Sequence, residues 1–444
     1  MIRLPLTEHD RSVMLNRLGK NSFEALLEPI PDSVRLKRPL NLPEGLSEVE
    51  LIRHMKALAA QNHHMISFLG AGSYEHFHPA VVDYLTARPE FRTAYTPYQP
   101  EVSQGTLQAI YEFQTAVVEL MGMDVANASM YEGGSSTAES ALMAQTVTRR
   151  STILISGGLH PLVRQVVETY TRPKGISLAD IPLKNGKTDT AAIRDFQEEP
   201  AAVLFQNPNF FGCIEDQHTL IEAAHDRGAL AIASVDPLSL AVLQAPGDHG
   251  ADIVASEGQP LAIPPFYGGP GVGLLACSSK LIRRIPGRLA GATVDEDGKR
   301  GFVLTLQARE QHIRRHRAAS NICTNQALVA LGFLITVSAF GPDGIRTMAE
   351  HCIRKAHYLS DRLEEIGLHR VHTSPFLWEF AIETPRPARV YVDELSERGY
   401  MPGLDLGRFD SERDHQLLIY VSELRTREEI DNLVSLLQEV NNGQ

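Results

Sequence analysis

Basic charge is in short supply in this chain. Its 42 Lys and Arg residues stand against 54 Asp and Glu, a formal net charge of −12. Nucleic-acid binding needs clustered cations that neutralise phosphates, so this balance argues against such a partner. One basic cluster, Arg314, Arg315 and Arg317, reads as a solvated helix face. Cysteine is also scarce: Cys213, Cys277, Cys323 and Cys352 lie far apart and form no CxxC pair. That spacing speaks against a disulfide frame or a cysteine metal site and fits reduced, mostly buried thiols. No uninterrupted apolar run approaches the ~20 residues of a membrane helix. Met1–Asp10 has neither a signal-peptide pattern nor an Arg-rich transit pattern, so the expectation is a cytoplasmic protein without a membrane partner. The pair His312 and His316 lacks the Glu of a zincin motif, and His76 and His78 flank Phe77 ahead of Pro79 as a helix entry or core contact would. No metal site is expected. Lysine, finally, is missing altogether from Ala255 to Gly273.

What is present is an ordinary globular composition over 444 residues, 43% hydrophobic and 22% charged, long enough for more than one core. Residues 1–64 read as a helical extension. Pro29, Pro31, Pro39 and Pro43 mark irregular chain, and Ser47-Glu48-Val49-Glu50 is a capping box ahead of a stripe of Leu51, Met55, Leu58 and Ala59. Residues 65–325 read as α/β. A helix over Gln104–Met121 places Leu107, Ile110, Tyr111, Gln114, Val117, Val118 and Met121 near one face. Short apolar runs follow at Thr152–Ser156, Ala201–Gln206, Ala229–Val235, Asp252–Ala255 and Gly271–Cys277. Helix-sized spacers separate them, as in a parallel sheet buried on both faces. Residues 326–444 read as a small α+β domain. It holds an apolar helix over Gln326–Phe340 ended by Gly341-Pro342, a long helix, strands at Leu377–Ile382 and Gln416–Val421, and a last helix. Thr426-Arg427-Glu428-Glu429 caps that helix, and Ile430, Leu433, Val434 and Leu437 form its buried face.

Three segments carry candidate chemistry. In Tyr95-Thr96-Pro97-Tyr98-Gln99-Pro100 the prolines fix φ and remove N–H donors, so the segment is an extended loop presenting two hydroxyls and an amide. The residues alone fit a ligand-holding loop and one whose aromatics pack on the next helix about equally. In Tyr131-Glu132-Gly133-Gly134-Ser135-Ser136 the glycines and hydroxyls open a helix, which suits an anion cradle or plain N-capping; Glu132 would oppose an anion bound there. Asp236 closes an apolar run ahead of Pro237, where capping of the strand end is the favoured reading. Gly268-Gly269-Pro270-Gly271-Val272-Gly273 lacks the ending of a nucleotide P-loop and permits close backbone approach beside a cleft or at a subunit contact.

These segments resemble glycine decarboxylase, the P-protein family of the glycine cleavage system. The resemblance rests on Thr7-Glu8-His9-Asp10, Phe68-Leu69-Gly70-Ala71-Gly72, the Tyr95–Gly105 string, Tyr111-Glu112-Phe113-Gln114-Thr115, Ile263-Pro264, Gly268–Gly271, Arg309–Arg315 and Ser320–Gln326. It implies the fold of pyridoxal-phosphate (PLP) transferases of fold type I, with a large α/β domain and a small C-terminal α+β domain. It also implies a glycine-decarboxylating enzyme that passes the aminomethyl group to the lipoyl arm of an H-protein and releases carbon dioxide. Such an enzyme holds PLP on a lysine. Counting back from the Ile263-Pro264 and Gly268–Gly271 landmarks, that position is Gln259, whose amide forms no Schiff base. Some bacterial members split the protein in two, and the missing lysine implies the N-terminal chain of such a pair, in an α2β2 assembly whose partner chain binds the PLP. Tyr95, Thr96, Tyr98 and Gln99 are then expected to complete the partner's active site. Ser135, Ser136, Asp236 and Gln259 are expected to be remnants of a cofactor site. Two alternatives remain: an autonomous PLP enzyme of aminotransferase or desulfurase type using Lys280, and a purely structural partner.

Overall fold

A computed structural model describes residues 6–93 and 95–443. The chain divides into two compact units, Met1–His63 and His64–Gln444. In the first, helices α1 (Glu8–Arg17) and α2 (Glu48–Ala59) each open with a reciprocal cap: Thr7 with Asp10, and Ser47 with Glu50. The Ser47 N–H donates to Glu50 Oε2 at 2.9 Å, so two otherwise free donors at the helix start are satisfied. Prolines keep the intervening chain irregular apart from a 3-10 turn at Glu24–Leu26. Neither helix buries a residue, and Leu51, Met55 and Leu58 are exposed.

The second unit is built on a seven-stranded sheet. Its strands in chain order are β1 (Val125–Ala126), β2 (Thr152–Ser156), β3 (Ser177–Ile181), β4 (Ala202–Asn207), β5 (Leu230–Val235), β6 (Ile253–Glu257) and β7 (Gly273–Cys277), hydrogen-bonded in the order β1-β7-β6-β5-β4-β2-β3. Strands β2 and β4–β6 are buried along most of their length, as the unbroken apolar runs predict. The expectation of a purely parallel sheet needs correction, because β7 runs antiparallel to both β6 and β1. It returns from β6 through a loop rather than a helical crossover, and only a crossover brings a strand back parallel. Edge strand β3 went unread because Ser-Leu-Ala-Asp-Ile mixes polar and apolar residues on a half-exposed edge.

Helix α3 (Gln104–Met121) buries Leu107, Ile110, Phe113, Gln114, Val117 and Met121, and Gly122 ends it in the left-handed region at φ 66. Gln114 is tolerated on that face because its amide exchanges hydrogen bonds with the Ala290 backbone at 2.9 and 3.0 Å. Ala290 lies in a ribbon of β8 (Leu289–Val294) and β9 (Arg300–Thr305). Helix α4 (Gly133–Thr148) is buried for most of its length against β6 and β7.

Helix α5 (Ala327–Glu365) is broken at Gly341, where φ 62 and ψ −179 interrupt it just before Pro342. Among the described residues it alone is long and apolar enough to cross a membrane, with mean hydropathy 1.7 in its most apolar stretch. Ala330, Leu331, Phe333 and Thr336 from that half lie in the core. Beyond it, β10 (Glu379–Glu383), β11 (Leu404–Asp405) and β12 (Gln416–Tyr420) form an antiparallel sheet in the order β10-β12-β11. Helix α6 (Arg427–Asn441) buries Ile430, Leu433, Val434 and Leu437 behind the Thr426–Glu429 cap. One apolar cluster runs from Val203 and Phe205 through Phe333 and Met348 to Leu417 and Leu433, so the main sheet and the C-terminal part share a core.

Candidate functional site

In open α/β sheets the crevice forms where parallel strands end and the chain turns to either face. Here the ends of β4, β5 and β6 deliver Gln206, Asp236 and Glu257 to a cavity of about 320 Å³. The start of α4, His160, Tyr74 and the Trp378-Glu379 pair complete its wall. Among the described residues the lining contains neither lysine nor arginine.

The start of α4 is where a phosphate would be cradled, and the chain's own carboxylates occupy it. Glu132 is the N-cap, and both of its oxygens accept from the Ser135 N–H, at 2.9 and 3.0 Å. Glu257 Oε2 accepts from the Gly133 N–H at 2.8 Å, while its Oε1 accepts from the N–H groups of Gln259 and Val272 at 2.8 and 2.9 Å. Burial pushes the Glu257 carboxyl up, the three N–H donors pull it back, and the charge of Glu132 raises it further. The fit at Gly133 is close: a Cβ there would meet the Glu257 Cβ at 2.8 Å. Ser135 and Ser136 do not line the cavity; the Ser135 hydroxyl donates to the Glu132 carbonyl, and the Ser136 hydroxyl is buried with no partner among the described residues. A phosphate placed here would face two carboxylates on donors already used, so the residues present do not fit PLP.

Asp236 lies at the end of β5, where Oδ1 accepts from the Leu238 N–H at 2.9 Å and caps the turn Pro237–Ala241. Among the described residues its buried Oδ2 meets no donor with hydrogen-bond geometry. Burial raises this carboxyl, opposed most strongly by the charge of His76. Gln259 is buried in the 3-10 turn after β6, but its amide points along the chain to the Ile263 carbonyl at 2.6 Å. It does not line the cavity, whereas its neighbour Pro260 does. Lys280 is exposed on the turn Ser279–Leu281 and also stands outside the lining.

Besides Glu257, the sequence pattern gave no sign of Glu379, Tyr74 or His160 in the cavity wall. Glu379 is buried, and burial pushes its carboxyl up to about 7. Its oxygens accept from the Ala71 N–H at 2.6 Å and the Tyr74 hydroxyl at 2.8 Å. His160 Nδ1 accepts from the Leu162 N–H at 3.1 Å, so Nε2 carries the proton and donates to the Ala71 carbonyl at 2.8 Å. Burial lowers its pKa and keeps it neutral. The signal in the sequence was the string Phe68–Gly72, whose Ala71 donates its N–H to Glu379 and accepts at its carbonyl from His160.

His76 belongs to the core as expected: its Nδ1 lies 2.7 Å from Glu423 Oε2, which also accepts from the Cys352 thiol at 3.3 Å. These three are close enough to share a metal ion, but the Phe77 N–H, the imidazole and the thiol already engage the carboxylate. His312 faces Tyr98, with ring centroids 5.6 Å apart.

The structure does not bring Tyr95, Thr96, Tyr98 or Gln99 to this cavity. Tyr95 is 85% exposed, and Tyr98 is half exposed with Arg288 5.8 Å from its ring centre. The loop is nevertheless fixed. Pro97 is buried, and the Gln104 amide donates to the Pro100 and Phe302 carbonyls at 2.7 and 2.9 Å, which ties the loop to β9.

The sequence model of one family, described as glycine cleavage system P-protein, matches residues 1–437. The chain belongs to that family. It is 49% identical over 440 residues to the probable glycine dehydrogenase (decarboxylating) subunit 1 of Moorella thermoacetica, with 99% of each chain covered. It is 49% identical over 442 residues to the protein of the same name from Desulfitobacterium hafniense, covering 98% of this chain and 99% of that one. A crystal structure of glycine decarboxylase (P-protein) of the glycine cleavage system, in inhibitor-bound form, superposes with a TM-score of 0.91 at 43% identity, covering 99% of this chain and 100% of that one. Glutamate decarboxylase of Lactobacillus brevis shares the fold alone, with a TM-score of 0.68 at 13% identity over 93% of this chain and 96% of that one. The P-protein member described here thus has the architecture of PLP-dependent fold type I enzymes around a cavity that does not fit PLP.

Proposed function

We propose that this chain is the lysine-less subunit of a two-chain glycine decarboxylase, active only with a second chain that carries the PLP. One observation carries the reading: in a P-protein family member, Glu132 and Glu257 fill the phosphate cradle and glutamine stands at the lysine position. PLP on the partner supplies the electron sink for loss of the glycine carboxylate. This chain contributes the rigid Tyr95–Gln99 loop, whose exposed hydroxyl and amide groups border the partner's site and orient glycine. The aminomethyl group is transferred to the lipoyl arm of an H-protein. The names of the relatives, subunit 1, support a partner chain. A cytoplasmic α2β2 assembly is part of the same proposal.

The autonomous reading loses its residue, because Lys280 is exposed and outside the cavity. The test is to assay glycine decarboxylation, with lipoylated H-protein, for each purified chain and for the mixture. Activity is expected only in the mixture. Turnover by this chain alone would contradict the reading.

A further inference from the structure

Gln259 makes a bond of its own rather than leaving a gap. Its amide N–H on the Ile263 carbonyl fixes the point where the chain leaves the cavity wall. Glu257 holds the N–H groups of Gln259 and Val272 on one oxygen, and the Gly258 N–H donates to the Val272 carbonyl at 2.8 Å. Both ends of segment 263–272 are therefore gripped at the closed cofactor end of the cavity. Between them Pro264, Pro265 and Pro270 restrict φ, and Tyr267 sits in the left-handed region at φ 46. For a bulky L-residue that conformation is unfavourable and persists where its surroundings enforce it. At the tip Phe266 and Tyr267 are 65% and 85% exposed, with ring centroids 5.4 Å apart, edge to face. From Gly258 to Val272 there is no charged side chain, in a chain of net charge −12. Aromatic enrichment with charge depletion is the composition of an interface core, and a pre-shaped turn reduces the entropy lost on docking.

We propose that Gln259 and Glu257 are positioning residues that mount the Phe266-Tyr267 turn, and that this turn docks on the second chain of the pair. The inference rests on the function proposed above. The replacement of lysine then has a structural use: an amide at position 259 secures the turn that meets the chain supplying the amine.

The test is isothermal titration of the full chain with the second P-protein chain of the same genome, with circular dichroism to show that each variant is folded. Gln259→Leu removes the donor and should weaken association by about tenfold. Gln259→Lys places an ammonium donor within reach of the same carbonyl and should restore association to within about threefold of the parent. Combined Phe266→Ala and Tyr267→Ala should weaken association at least as much as Gln259→Leu. Adding Gln259→Leu to that pair should weaken it no further, because the amide acts only through the turn. Parent-like binding by Gln259→Leu or by the aromatic pair variant would overturn the proposal. So would additive losses, or loss of self-association with pairing to the second chain intact. A parent chain that neither binds the second chain nor supports glycine turnover with it would overturn the function itself, an outcome visible before any variant is made.

Discussion

Glu257 is the residue that decides what the cavity accepts. A carboxylate with three backbone N–H donors is both an anchor and a plug, and it joins the start of α4 to both sides of the β6–β7 connection. The sequence shows Glu132 beside the glycine turn, so one opposing charge was legible there. Glu257 was not, because its partners Gly133 and Val272 are distant in sequence and come together only in the sheet. Glu379 was hidden for a similar reason: its acceptors are filled by Ala71 and Tyr74 from the far side of the unit. Its carboxyl moves from an ordinary 4.5 to about 7 on burial, so between those values only the folded chain holds the proton. The stability it contributes is present below its unfolded pKa and is lost as pH rises through its folded one, by at most about 3 kcal/mol. Glu379→Gln should therefore flatten the fall in unfolding free energy between about pH 5 and about pH 8, measured by urea denaturation at each pH. Glu139, also pushed up to about 7 by burial, contributes the same trend to both proteins. Parallel curves for parent and variant would contradict this assignment.

At the scale of elements, the buried strands and helices were legible wherever pattern and burial coincide. Strands β2, β4 and β5 fall on the apolar runs, and α3 and α6 present the faces their spacing predicts. Direction was not legible, since an apolar run reads alike in a parallel or an antiparallel neighbour; β7 shows this. The half-exposed strand β3 and the ribbon of β8 and β9 lacked a pattern strong enough to announce them. The Tyr95–Gln99 loop was legible as rigid, but its place relative to the cavity was not, because that depends on how α3 and β9 pack. Tyr95→Phe and Tyr98→Phe each remove one hydroxyl from a loop held by Gln104 and the prolines. In the assembled pair each should cut glycine turnover by about tenfold or more while leaving association with the second chain intact. Full activity in both variants, from steady-state decarboxylation assays, would remove the loop from the active site.

For the whole molecule, the fold is that of a PLP enzyme while the cavity chemistry is not. The architecture was readable from the sequence through the resemblance, which rests on motifs spread from Thr7 to Gln326. The closure of the cradle was readable only in three dimensions. On the function proposed above, a chain that keeps the fold but fills its cofactor site with its own carboxylates has a reason to pair, because the proposed partner would supply the missing amine. The most direct measurement is borohydride reduction of the PLP-loaded pair, followed by mass spectrometry of each chain, with a second arm using Gln259→Lys in this chain. The account predicts a pyridoxyl adduct on the partner alone in both arms, because a lysine at position 259 does not open a cradle closed by Glu132 and Glu257. A reduced adduct on this chain, in the parent or at position 259 of the variant, would contradict it.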